Sequence, residues 1–136
     1  MSPALVDTYV VLDALLDRPP FAPVAGLILA KVAAEELRAS LTATTLTTIF
    51  YVARKVVGTE QARRDIAALL ATFEVAPVNH AILRAALDRR WADFEDAAAV
   101  AAGIGTIVTR DPPGFAGSSL EILDPAGLVA GLAGGP

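Results

Sequence analysis

Apolar residues fall along this chain in two alternating rhythms. Short runs rich in Val, Leu and Ile read as strands, and longer segments with apolar positions three or four apart read as helices. Ala4-Leu5-Val6 is the first short run and ends on Asp7; helical spacing follows from Thr8 to Leu16 until Arg18-Pro19-Pro20 stops it. An Ala/Leu/Val-rich helix is expected over Phe21–Leu37 and a short strand over Leu41–Thr45. Leu46–Val57 carries an apolar stripe that Gly58 ends, and Thr59 is expected to cap a helix over Glu60–Phe73. Val75–Val78 reads as a strand, and Asn79 opens a helix to Arg90 that buries Ile82, Leu83, Ala86 and Leu87. An alanine-rich helix from Asp96 to Ala102 leads through Gly103-Ile104-Gly105 into Thr106–Thr109, a central strand by its branched residues. Arg110–Gly114 is a turn, Leu120–Leu123 a last strand, and Pro125–Leu132 a terminal helix.

Strands alternating with helices predict an α/β fold with a mainly parallel sheet of four to five strands and helices on both faces. The expected layout is one domain over residues 1–132 with a flexible Gly-rich tail at 133–136. A chain of 136 residues can bury a sufficient core without staples. With 54% hydrophobic but only 6% aromatic residues, that core must be made of small aliphatic side chains.

Absence of cysteine removes disulfides, thiolate zinc sites and cysteine nucleophiles, and fits a cytoplasmic protein. His80 is the one histidine, so a His-rich zinc site or a pair of histidine acid/bases is excluded as well. Any metal must therefore be held by oxygen. The net charge of −4 weighs against a DNA-binding module, whose affinity comes from Lys and Arg, but not against a nuclease that recruits phosphate through a cation. The N-terminus does not read as a signal peptide, and Phe21–Ala34 is too short for a membrane span.

Carboxylates recur where elements end: Asp7 after the first strand, Asp96 at the alanine-rich helix, Asp111 after Thr106–Thr109. If the first and fourth strands are neighbours, these three converge at one sheet edge, where open parallel sheets carry their ligand sites. Like charges held together favour a hard divalent cation, and Mg2+ or Mn2+ at such a site suits hydrolysis of a phosphodiester. The structural alternative for each is ordinary: Asp7 and Asp96 as helix caps, Asp111 before Pro112 as an Asx turn. Gly103-x-Gly105 lacks the later glycine and the strand-before-helix order of a phosphate loop.

The segments "LVDTYVVLDALLDRPPF", "TATTLTTIFYVARKVVG", "DFEDAAAVAA" and "IVTRDPPGF", in that order, resemble the PIN domain superfamily, especially its bacterial VapC-like ribonuclease branch. The resemblance covers nearly the whole chain. It implies a three-layer α/β/α fold with Asp7, Asp96 and Asp111 as metal carboxylates; beside it, Thr109, flanking Asp111, reads as a phosphate-contacting hydroxyl in support. The resemblance further implies a Mg2+- or Mn2+-dependent endoribonuclease acting on RNA, a small antitoxin partner as in toxin–antitoxin pairs, and a homodimer. Two positions depart from the family pattern. Tyr9 stands where relatives most often have Asn, and Thr48 falls at or near the second acidic position, for which Glu95 is a possible substitute.

Those departures motivate an alternative function, a catalytically degenerate PIN domain that binds RNA or protein. A small phosphorylated ligand at the same sheet edge is a weaker rival. Among the other polar residues, Asp93 reads as favoured by the helix dipole, and Asp13 and Arg110 as solvent-facing. Trp91 and Phe94 suit core or dimer packing better than base stacking, and His80 suits a turn or cap.

Overall fold

Five short strands form a single parallel sheet, which a computed structural model describes for residues 3–102, 105–118 and 120–133. The strands are β1 (Ala4–Val6), β2 (Ala39–Thr42), β3 (Glu74–Ala76), β4 (Thr106–Val108) and β5 (Glu121–Leu123), in the order β3-β2-β1-β4-β5. Seven α-helices are described: α1 (Thr8–Leu15), α2 (Ala22–Ala33), α3 (Ala43–Val57), α4 (Thr59–Thr72), α5 (His80–Asp88), α6 (Phe94–Ala102) and α7 (Pro125–Ala133). A 3-10 turn at Pro112–Phe115 lies between β4 and β5. The expected α/β fold with a parallel sheet is thus present. Gly103 and Ile104 of the expected glycine turn lie outside the described residues, as do 134–136 of the expected tail.

The central strands are buried: β1 and β2 at every position and β4 at Ile107 and Val108, whereas the edge strands β3 and β5 expose Glu74, Val75 and Glu121. Along β1 the side chains alternate: Ala4 and Val6 join Leu12, Ile28, Leu41, Ile49 and Val108 in one core, while Leu5 joins Val100, Ile107 and Phe115 in another. This alternation is what makes the fold three-layered, with the first core under α1, α2 and α3 and the second under α6. No helix among the described residues is long and apolar enough to cross a membrane.

Several boundaries differ from the sequence expectation for identifiable local reasons. The α2 helix stops at Ala33 rather than Leu37, in a turn where Glu35 adopts a φ of 62°. β2 runs over Ala39–Thr42, and α3 starts at Ala43 because the Thr42 hydroxyl accepts the Thr45 N–H at 3.0 Å and caps the helix. Gly58, not Thr59, is the cap residue of α4. β3 covers Glu74–Ala76, and Asn79 caps α5 as expected, its Oδ1 accepting the Ile82 N–H at 3.0 Å. Of the residues expected to be buried on α5, Ala86 is, but Leu83 and Leu87 face outward.

Candidate active site

Parallel pairing of β1 with β4, in the register Val6 against Val108, sets Asp7 and Thr109 side by side at the carboxyl edge of the sheet. The Asp7 N–H continues the ladder by donating to the Val108 carbonyl at 2.9 Å. The condition on which convergence of the acids depended is therefore met.

Asp7 occupies the N-cap position of α1, yet its carboxylate makes no capping bond. Instead Oδ2 accepts a 2.9 Å hydrogen bond from the Thr109 hydroxyl, whose oxygen in turn accepts the Asp111 N–H at 3.0 Å. Thr109, with 0% exposure, is thus a buried clasp holding both acidic residues. Asp111 likewise sits at the cap position of the 3-10 turn without a side-chain capping bond. Its Oδ2 lies against Gly114: a Cβ there would come within 2.7 Å of it and within 3.8 Å of Asp96 Oδ2. A Cβ at this position would press on the Asp111 carboxylate, while its approach to Asp96 is ordinary contact.

Asp96 stands within the first turn of α6. The helix is capped by Asp93, whose Oδ1 accepts the Asp96 N–H at 3.0 Å, so capping is the work of Asp93 and leaves the Asp96 carboxylate available. None of the three acids Asp7, Asp96 and Asp111 caps with its side chain. A cleft of about 300 Å³ is lined by Asp7, Asp93, Glu95 and Asp96 together with Thr48 and Arg18.

The electrostatics follow from this crowding. Burial, and then the charges of Asp93, Asp7, Glu95 and Asp111, push the Asp96 carboxyl up to about 7. Burial also raises Asp7, which the Thr109 hydrogen bond partly offsets. Among the described residues, no ion pair involves Asp7, Glu95, Asp96 or Asp111. Nor do any three His, Cys, Asp or Glu side chains close into a ready-made chelate among those residues. Mg2+ and Mn2+ do not require one, since they commonly take one or two carboxylates and keep several waters. An all-oxygen donor set, crowded with uncompensated negative charge, fits such a cation.

Two residues expected to face solvent do not. Asp13 is buried at 1% exposure and forms an ion pair with Arg110, whose Nε lies 2.8 Å from its Oδ2. Arg18 approaches the other oxygen at 3.8 Å. The Arg110 guanidinium lies 4.2 Å from the Phe21 ring centre and 5.4 Å from that of Tyr9, which explains why an aromatic is accommodated at position 9. The pairing was invisible in sequence because its partners come from opposite ends of the chain. Trp91 packs edge-on against Phe115 in the core, Phe94 is exposed, and His80 is the exposed first residue of α5.

Comparison with known proteins agrees with this fold. No curated protein matches the sequence. The structure is similar to a toxin–antitoxin complex from Klebsiella pneumoniae, with a TM-score of 0.65 and 19% identity over 90% of this chain and 97% of that one. It is also similar to DNA-bound VapBC from Salmonella typhimurium, with a TM-score of 0.63, 17% identity and coverage of 92% and 99%. A third is VapBC2 from Rickettsia felis bound to a DNA fragment from their promoter, at 0.61, 16% identity and coverage of 89% and 97%. At these identities the likeness establishes the fold. The PIN domain family model matches residues 3–112, a span that runs from β1 through Asp7, Asp96, Thr109 and Asp111, and the chain belongs to the PIN domain family.

Proposed function

We propose that this protein is a metal-dependent endoribonuclease of the VapC-like toxin type, hydrolysing RNA phosphodiester bonds with Mg2+ or Mn2+ held by Asp7, Asp96 and Asp111. The observation that carries this reading is crowded negative charge: Asp7 and Asp96 line one cleft with Asp93 and Glu95, Asp111 adds its charge to that at Asp96, and none of the three is spent on an ion pair among the described residues or on a side-chain cap. A bound divalent cation would neutralise the carboxylates, polarise the scissile phosphate and lower the pKa of an attacking water.

The chain's own residues do the rest. Thr109 fixes the Asp7 carboxylate through its hydroxyl and holds the backbone from which Asp111 projects. Gly114 leaves the Asp111 carboxylate the space a Cβ would take. Asp96, half protonated near neutrality in the free site, gives up a proton when a cation binds, so metal affinity falls as the pH drops below about 7. A small antitoxin is the proposed partner, since the similar structures are toxin–antitoxin complexes, and a homodimer in the cytoplasm is the proposed state.

The test is Mn2+-dependent cleavage of single-stranded RNA by the purified protein. Cleavage should be lost with Asp96→Asn, by about a hundredfold or more; activity that survives this change belongs to a contaminant or to other residues. Thr48, without a carboxylate on α3, favours the second reading, a PIN domain that binds RNA or protein without cutting. That reading requires RNA binding indifferent to Mn2+.

A further inference from the structure

Among the described residues that line the cleft beside Asp7 and Asp96, Tyr9 is the one aromatic. It lies in the first turn of α1, and its residue is 55% exposed while Thr8 and Val10 on either side are buried. Its ring is therefore not a core side chain. Across the cleft, α3 contributes Val52 and Thr48, whose hydroxyl donates to Glu95 Oε2 at 3.0 Å. The partly exposed guanidinium of Arg18 lines the same space and brings a cation suited to a phosphate oxygen.

The ring is also braced. The Arg110 guanidinium lies over it, 5.4 Å from its centre, and Arg110 is itself fixed by its ion pair with buried Asp13. One face of the ring is thus occupied by an anchored cation, and the exposed remainder is what the ring can offer to the cleft. Bracing Arg110 does not account for Tyr9, because Phe21 already does so at the shorter distance of 4.2 Å. A flat apolar surface held in place before its ligand arrives loses little freedom on binding. Beside a site for phosphate, such a surface suits an unpaired base, since every base has a π-face to stack.

We infer that the Tyr9 ring is the stacking surface for a nucleobase of unpaired RNA lying in the acidic cleft. This rests on the RNA reading proposed above, but not on cleavage. It assigns the aromatic that stands where relatives most often have Asn a task in binding the substrate. It also makes the cleft selective for single strands, because a paired base has its faces covered by its neighbours in the duplex.

The test is fluorescence anisotropy of a labelled oligouridylate of about twelve nucleotides, compared with a labelled ribose-phosphate chain of the same length that carries no bases. Each is titrated with the full-length protein in Ca2+, an oxygen-liganded cation, so that binding is read apart from cleavage. The parent should bind oligouridylate about tenfold more tightly than the abasic chain, and Tyr9→Leu should bind the two alike to within about threefold. Tyr9→Phe, which keeps the ring, should retain the parent's preference. Circular dichroism verifies that each variant is folded, and Tyr9→Asn takes the place of Tyr9→Leu if the latter does not fold. A preference as large in the ring-less variant as in the parent, or no preference in the parent, overturns the assignment of Tyr9 and leaves the RNA reading standing. Loss of the preference in Tyr9→Phe overturns it too, since the effect would then belong to the hydroxyl. Parent protein that binds neither chain overturns the RNA reading and this inference with it.

Discussion

Arg110 and Asp111 are neighbours in sequence and belong to opposite kinds of environment. Arg110 turns into the α1–α2 side, where it neutralises buried Asp13 and stacks between Tyr9 and Phe21. Asp111 turns toward Gly114 and Asp96, adding its charge to that of Asp7, Asp93 and Glu95 around Asp96, and among the described residues no ion pair involves Asp7, Glu95, Asp96 or Asp111. Both environments hold acids that reach them from α1 or its cap position, Asp13 in one and Asp7 in the other. What separates scaffold from site in this molecule is charge compensation rather than burial. The charge of Asp13 is met within the fold, although its Oδ1 accepts no hydrogen bond, whereas Asp7 has no ion-pair partner among the described residues.

The contrast breaks most sharply at Arg110. Arg110→Met keeps the length of the side chain but leaves the Asp13 carboxylate buried with only distant Arg18, and should lower unfolding stability in urea by about 3 kcal/mol. A loss under about 1 kcal/mol would mean that the pair is not the anchor described here. Next in size, Thr109→Val preserves shape while removing the hydroxyl that serves Asp7 and the Asp111 N–H. It should cost about 1–2 kcal/mol, measured in the same way, and weaken Mn2+ binding without abolishing it.

On the cleft side the sign reverses. Because the folded state raises the Asp96 carboxyl from 3.8 to about 7, this group contributes stability that is complete below about 4 and is lost as the pH rises through about 7. The metal-free protein should therefore carry an Asp96 penalty at pH 8 that is absent at pH 5. Asp96→Asn should be more stable than the parent at pH 8 by on the order of 1 kcal/mol, since solvent screens part of the repulsion. At pH 5 the two should unfold alike. An Asp96→Asn variant less stable than its parent at pH 8 would show that the carboxylate is a structural group.

Much of this was legible in sequence because the relevant signals are local. Strand runs ending on Asp7 and just before Asp111, and an alanine-rich segment beginning near Asp96, place each acid at the end of an element, and the parallel order follows from alternation. Boundaries slipped where one hydroxyl decides: Thr42 reads as strand, but its side chain caps α3 and draws Thr45 into the helix. Asp13–Arg110 and Glu95–Thr48 were out of reach for another reason. Each joins side chains from distant segments, and periodicity assigns a residue to a face without naming what lies across from it. Leu83 and Leu87 show the same limit in reverse, since an apolar stripe on α5 does not reveal that only Ala86 meets the core.

The central claim is that the acids of the cleft are uncompensated because they await a divalent cation, and it is tested most directly by calorimetric titration of Mn2+ into the parent and Asp96→Asn proteins at pH 8 and pH 6. The account predicts saturable binding by the parent that weakens at pH 6 with release of a proton, and no binding by Asp96→Asn. Binding of equal strength in both proteins, or none in either, would contradict it.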